Sequence, residues 1–381
     1  MKNRHIWLAV AAMFVLNGAL FGIWASRIPA VVERHGLNNA DLGMLLLLMA
    51  AGAIVAFPLA GRLSDEVGAA KVTWRIAVIY TGALCLIAVS QSYLMLAAAL
   101  FFFGATHGAM DVAMNTWASE AEKVIAKPVM SSFHAMFSLG AGLGAGSGFL
   151  AATTDLNTTP HFILAGSMVA IVTLYIAKID WVSQRHDKAS RGPIFALPKG
   201  PLLAVGFVAF CASLGEGGMA DWSALFLIET TQATQATAAL GYTVFSLAMV
   251  GMRLLGDRVT QAVGSVNTAR LAGSIALSGV LCAVGFGTYQ MALLGFALMG
   301  IGYAVIMPLA FSRAANDPNM SPGSAIASVS TLGYGGLLLG PPLLGFIAEA
   351  SSVRVAFLVL AALAVLIVVL AKALTPVQPP T

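Results

Sequence analysis

Charge is what this chain has least of. Only 9% of its 381 residues are Asp, Glu, Lys or Arg, while 59% are hydrophobic and the mean hydropathy is +0.88. Soluble domains run at about 25% charged residues, so the composition is that of an integral membrane protein. Cysteine is scarce as well. Cys85, Cys211 and Cys282 fall in apolar runs on three different helices, which suits buried free thiols and excludes a disulfide framework or a thiolate metal site. The short alternating segments of a closed β-barrel are missing; the apolar runs are long and continuous, so the class is polytopic and all-α. The net charge of +4 carries no nucleic-acid signal, because the basic residues are scattered over short loops. No nucleophile–base set, metal-ligand cluster or nucleotide loop is present, which argues against an enzyme, a metal cofactor or a nucleotide-driven pump. Lys2 and Arg4 precede the first apolar run, which is too long for a signal peptide and is followed by another span; it reads as an uncleaved first helix.

What the chain does have is spans. The pattern predicts twelve transmembrane helices, at 6–31, 40–60, 72–90, 94–118, 129–152, 161–180, 201–228, 237–255, 268–287, 289–312, 323–347 and 352–373. The longest connection, 181–200, is polar and divides the chain into an N-terminal bundle (1–180) and a C-terminal bundle (201–381) of six spans each. With sides alternating from the N-terminus, one side collects 17 Lys and Arg residues, the other holds only Arg34 and Arg354, and Arg27 stays inside the first span. The positive-inside rule then puts both termini in the cytoplasm, and the expected location is a bacterial inner membrane. The halves also repeat. A shift of 198 residues superposes Trp24 on Trp222, Ala40 on Ala238 and Gly43 on Gly241; a shift of 196 puts Gly104 on Gly300. Parallel repeats with a binding site near the midplane belong to alternating-access transporters.

The stretch FFFGATHGAMDVAMN, Phe101 to Asn115, puts a carboxylate inside a span. His107, Asp111 and Asn115 are spaced by four and share one helical face. A carboxylate at that depth costs about 2.5–3.5 kcal/mol on insertion scales, so its default reading is functional. On helix-rise arithmetic Asp111 lies roughly 13 Å from its helix end near Glu120, and His134 roughly 9 Å from the same face on the antiparallel next span. The two form a candidate proton-handling pair. A histidine alone in a helix is more often a hydrogen-bonded packing residue.

The connection after the second span reads Gly61-Arg-Leu-Ser-Asp65-Glu-Val-Gly68-Ala-Ala-Lys71. It resembles the loop signature of the major facilitator superfamily, with Glu66 and Ala69 where that family has basic residues. The resemblance implies a fold of two pseudo-symmetric six-helix bundles, and a cytoplasmic latch in which Asp65 docks on the N-terminus of the eleventh span, opened by Ser321-Pro322. Within the superfamily the chain resembles the fucose-permease-like branch, and most closely the YbjJ-like inner-membrane proteins. Three patches carry that likeness: Asp111-Val-Ala-Met-Asn115, Glu216-Gly-Gly-Met-Ala-Asp221-Trp222, and Gly340-Pro-Pro-Leu-Leu-Gly345. The resemblance implicates Asp111 in proton coupling. Fucose permeases also carry a first-span aspartate before an Ile-Pro pair; here the stretch is Trp24-Ala-Ser-Arg27-Ile28-Pro29, so coupling by two N-terminal carboxylates does not carry over.

The remaining candidates are set by depth. Asn17, Trp24, Trp222, Tyr242, Tyr303 and Tyr334 are mid-span polar or aromatic groups suited to a sugar or an amphipathic solute, though each alone is more often packing. Glu216, roughly 22 Å along the seventh span, matches His107 at roughly 20 Å and is placed in the cavity. Arg27 and Asp221, roughly 31 and 30 Å along repeat-related helices, form a candidate periplasmic gate. Gly140, Gly144 and Gly148 make a small-residue face for close helix packing. The expected function is proton-coupled movement of a small organic solute by a monomer in the lipid bilayer, with the proton gradient as driving force and no cofactor. Import of a sugar-like or polar metabolite comes first and efflux of amphipathic compounds second; a lipid route or a transport-dead sensor is the different class.

Overall fold

The computed structural model describes residues 3–126, 129–183, 197–320 and 322–376. Its helices are α1 Asn3–Ser26, α2 Ile28–His35, α3 Asn39–Val67, α4 Ala69–Val89, α5 Tyr93–Ile125, α6 Met130–Thr153 and α7 Thr158–Ala177. They continue as α8 Pro201–Thr231, α9 Gln235–Ala238, α10 Leu240–Val263, α11 Ser265–Phe286, α12 Tyr289–Tyr303, α13 Ile306–Ala315, α14 Pro322–Ala350 and α15 Val353–Leu370. No strand occurs among the described residues, and 12 helical stretches are long and apolar enough to cross a membrane.

Several helices run past the bounds expected from hydropathy. α3 continues to Val67, so Gly61 to Asp65 is helix rather than loop, and the turn is confined to Gly68 at φ +104°. α5 continues to Ile125, which puts Asp111 about 21 Å from that end instead of 13 Å. α10 continues to Val263, past the expected end at 255, so Arg253 lies well inside the helix. Three of the expected spans are broken, at Arg27, at Ala239 and at Ala304–Val305. Proline accounts for two of the breaks, since it lacks the N–H and crowds the preceding turn: Pro29 sits in the first turn of α2, just after Arg27, and Pro308 in the first turn of α13.

The chain forms two compact units, Met1–Arg191 with Ala233–Thr243, and Gly192–Gln232 with Val244–Thr381. In the first, α1 is buried along its length and packs on α6 backbone to backbone. A Cβ added at Gly18 would lie 2.0 Å from the Phe137 carbonyl oxygen, and one at Gly144 2.2 Å from that of Ala19. Only glycine permits that approach, and in a lipid environment such packing drives helix association. In the second unit α8 pairs with α14 in the same way, a Cβ at Gly336 falling 2.2 Å from the Phe210 carbonyl oxygen. The outer faces are apolar: α7 presents Leu164, Met168, Ile171 and Tyr175 on one exposed stripe.

The two arginines that broke the charge bias have the same structural duty, one in each unit. Arg34 donates to the Ala88 carbonyl at the end of α4 (2.8 Å), and Arg354 donates to the Val284 carbonyl near the end of α11 (2.7 Å). Each supplies a cation where a helix C-terminus has unpaired carbonyls and a negative dipole end.

Candidate functional site

The polar face of α5 forms as its spacing requires. His107, Asp111 and Asn115 are all half-buried while the flanking Gly108, Met110 and Met114 are buried. Asn115 Nδ2 donates to Asp111 Oδ1 at 3.0 Å and to the Asp111 carbonyl at 2.9 Å, so amide and carboxylate act as one polar unit. One turn away, His107 Nδ1 lies 3.0 Å from the hydroxyl of Tyr80, a buried α4 residue. The imidazole stacks on Phe21 with ring centroids 5.1 Å apart, and Phe21 meets Tyr242 edge-on at 6.3 Å. A titratable, hydrogen-bonding face bordered by rings results. Tyr80 went unnoticed in the sequence because a lone tyrosine in an apolar run carries no pattern.

Of the other first-unit candidates, His134 packs edge-on against Phe14 of α1. Asn17 is fully buried with Nδ2 on Met114 Sδ, and Trp24 is fully buried beside Phe103. Neither lines open space; α1 holds them inside helix packing. Asp65 is half-buried on the last turn of α3, and Ser321, its expected docking point, lies outside the described residues. Arg27 is buried at the α1–α2 break and donates through Nη2 to the Leu156 carbonyl at 3.1 Å.

In the second unit, Glu216 does not stand alone. Arg253 Nη2 donates to its Oε2 at 3.3 Å, with the two side chains 10% and 23% exposed for Arg253 and Glu216 respectively. Arg253 thus supplies a counter-charge to Glu216 from the same unit, and the open valence is Glu216 Oε1, a buried atom without a hydrogen-bond partner. Arg253 was not singled out because a lone cation two residues from the expected end of a span at 255 reads as a helix flank. Its signal is the stripe Ser246, Arg253, Asp257 and Thr260 on α10, at the i, i+7, i+11, i+14 spacing of one helix face. Trp222 is fully buried and donates to the Pro341 carbonyl at 3.0 Å, tying α8 to α14 where two prolines interrupt the backbone ladder. Tyr303 is fully buried, Asp221 nearly so, and Tyr334 is exposed. Trp222 and Tyr303 are therefore packing elements in this structure, not walls of an open cavity.

Twelve apolar helical spans among the described residues, one with a polar face inside it, are matched by sequence comparison. The pattern of the Major Facilitator Superfamily fits residues 6–334 and again 205–381. The chain belongs to the major facilitator superfamily. As a member it is a membrane transporter and not an enzyme. It is similar to the uncharacterized transporter y4wD of Sinorhizobium fredii, 43% identical over 97% of this chain and 98% of that one. It is also similar to an uncharacterized MFS-type transporter of Yersinia pestis, at 35% over 95% and 94%, and to the membrane protein MosC of Rhizobium meliloti, at 33% over 94% and 88%. Among solved structures the fold matches the nucleoside transporter NupG with a TM-score of 0.73 at 13% identity, over 98% of this chain and 99% of that one. A bacterial homolog of the human lysosomal transporter Spinster, inward-facing and occupied, matches at 0.69 and 14%, over 97% and 96%.

Proposed function

We propose that this major facilitator is a proton-coupled secondary transporter. It moves a small polar organic solute, sugar-like in its hydroxyl content, across the inner membrane by alternating access of the bundles 1–180 and 201–381, with 181–200 as their cytoplasmic link. Both termini face the cytoplasm on the charge bias of the loops. The sequence patches at Asp111–Asn115, Glu216–Trp222 and Gly340–Gly345 support a place in the fucose-permease-like branch, near the YbjJ-like proteins.

The observation that carries the proposal is the α5 face. A carboxylate, an amide and an imidazole inside one span, all half-buried, are expensive in lipid and useful beside water. The burial of Trp24, Trp222 and Tyr303 supports the choice of solute class. It removes broad aromatic surface and leaves His107, Asp111, Asn115 and Glu216, which favours a polar solute over an amphipathic one. Proteoliposomes with an imposed pH gradient test this. Acidification of the outer bulk should drive uptake of a polar solute, and Asp111→Asn should abolish accumulation while sparing solute exchange. Undiminished accumulation in Asp111→Asn refutes proton coupling at this residue.

A further inference from the structure

Beside Arg27 the first unit contains a cavity of about 450 Å³, bounded by the α6–α7 connection and the Thr234–Ala236 stretch. Arg27 itself is 6% exposed. Beyond the bond to Leu156, its Nε and Nη1 are buried and have no hydrogen-bond partner. Guanidinium cannot shed its proton, so the charge is permanent, and a buried charge without a counter-group is strongly unfavourable.

The surroundings point the same way. α6 ends in a turn with Asp155 left-handed at φ +51°, Leu156 N–H bonded to the Ala151 carbonyl at 2.8 Å and Asp155 N–H to that of Ala152 at 3.4 Å. This is the closed helix ending that usually takes glycine, and it carries the Leu156 carbonyl to Arg27. Next along the chain α7 begins, and its N-cap Asn157, a cavity residue, makes no side-chain cap bond. Its unpaired N–H groups and positive dipole end favour an anion. Thr234 Oγ1 is occupied by Thr237 N–H, and Gln235 Nε2 by Glu33. Arg27 Nε and Nη1 are thus unpaired donors at this cavity, beside the Asn157 amide. The acidic groups nearby, Asp155 on the cavity and Glu33 behind Gln235, are both exposed, where water screens them.

We propose that this cavity binds the carboxylate of a small hydroxylated organic anion, a site separate from the α5 face. Its volume lies in the usual small-molecule range of about 300–1,000 Å³, far more than an inorganic oxyanion fills. The carboxylate pairs with Arg27, while Ala152 and Ala236 supply apolar wall and Asn157 a neutral polar contact for the body.

Thermal unfolding of the purified full-length protein in detergent tests this without any transport step, so its failure is distinct from failure of proton coupling. Sodium gluconate should raise the midpoint saturably above sodium chloride at equal ionic strength, by mass action on the folded state, and sodium phosphate should do so less. Arg27→Gln should weaken gluconate at least about tenfold, the loss of charge-assisted hydrogen bonds. Asp155→Asn keeps a residue tolerated in the left-handed turn and removes the like charge, so it should tighten gluconate roughly two- to fivefold. No shift beyond chloride, an equal affinity in Arg27→Gln, or phosphate matching gluconate would overturn the site. Should Arg27→Gln fail to fold, unchanged or weakened affinity in Asp155→Asn overturns it alone.

Discussion

Removing one half of the Glu216–Arg253 pair should cost more than removing both. At 3.3 Å and an effective dielectric of about 20, the attraction is about 5 kcal/mol. Taking both groups out of water costs several kcal/mol per ion, so the intact pair nets little. A single change, Glu216→Gln or Arg253→Gln, abolishes the attraction but leaves one charge desolvated. Full burial would make that about 3–5 kcal/mol. Glu216 keeps 23% of its side chain exposed, so Arg253→Gln should cost about 2 kcal/mol and Glu216→Gln about 3. The double variant Glu216→Gln/Arg253→Gln removes both charges and should come within about 1–2 kcal/mol of the starting protein, a coupling of roughly 3–4 kcal/mol. The assay is reversible unfolding in detergent or bicelles for all four corners of the cycle, with transport measured in parallel. Additive losses, with the double variant as unstable as the sum of the singles, would refute the pairing.

Gly144→Val places a side chain within the reach of the Ala19 carbonyl and should cost at least about 2–3 kcal/mol by overpacking; an unchanged melting midpoint contradicts the seam. Tyr80→Phe should strand the buried side of His107 and cost about 1–3 kcal/mol, read as a lower midpoint, whereas an equal one shows that the 3.0 Å contact contributes nothing. Asp65→Asn should favour inward-open conformations if Asp65 latches the cytoplasmic side, scored by cysteine accessibility there; unchanged labelling leaves it a helix-end residue. Exchanging charges as Arg27→Asp with Asp221→Arg should not recover transport if Arg27 serves an anion, while partial recovery would restore the gate between them.

The spans were legible because lipid imposes one rule on every backbone group, and long apolar runs obey it. The face His107–Asp111–Asn115 was legible too, since spacing by four fixes which side chains share a helix side. What escaped was the partner across the gap. Tyr80 and Arg253 come from other helices, and nothing in a single chain's periodicity says which helices touch. Hydropathy also ended this span at 255, although α10 runs eight residues further. Depth arithmetic failed for Asp111 for the same reason, α5 extending beyond its apolar part. The aromatic candidates illustrate the opposite error. Trp24, Trp222 and Tyr303 have the chemistry of a solute wall, but their size makes them equally good filling between helices, and packing took them.

The contact of α1 with α6 has a use outside transport. Where Gly18, Gly22, Gly140 and Gly144 cross, it is made by main chain on both sides, so rotamer changes there cannot loosen it. The pair should therefore behave as one stiff strut through any working cycle. Spin labels or fluorophores set on the outward faces of these two helices would report a constant separation whatever ligand or pH is applied. Such a pair gives spectroscopists an internal fixed length, against which every other interhelical distance in the protein can be calibrated.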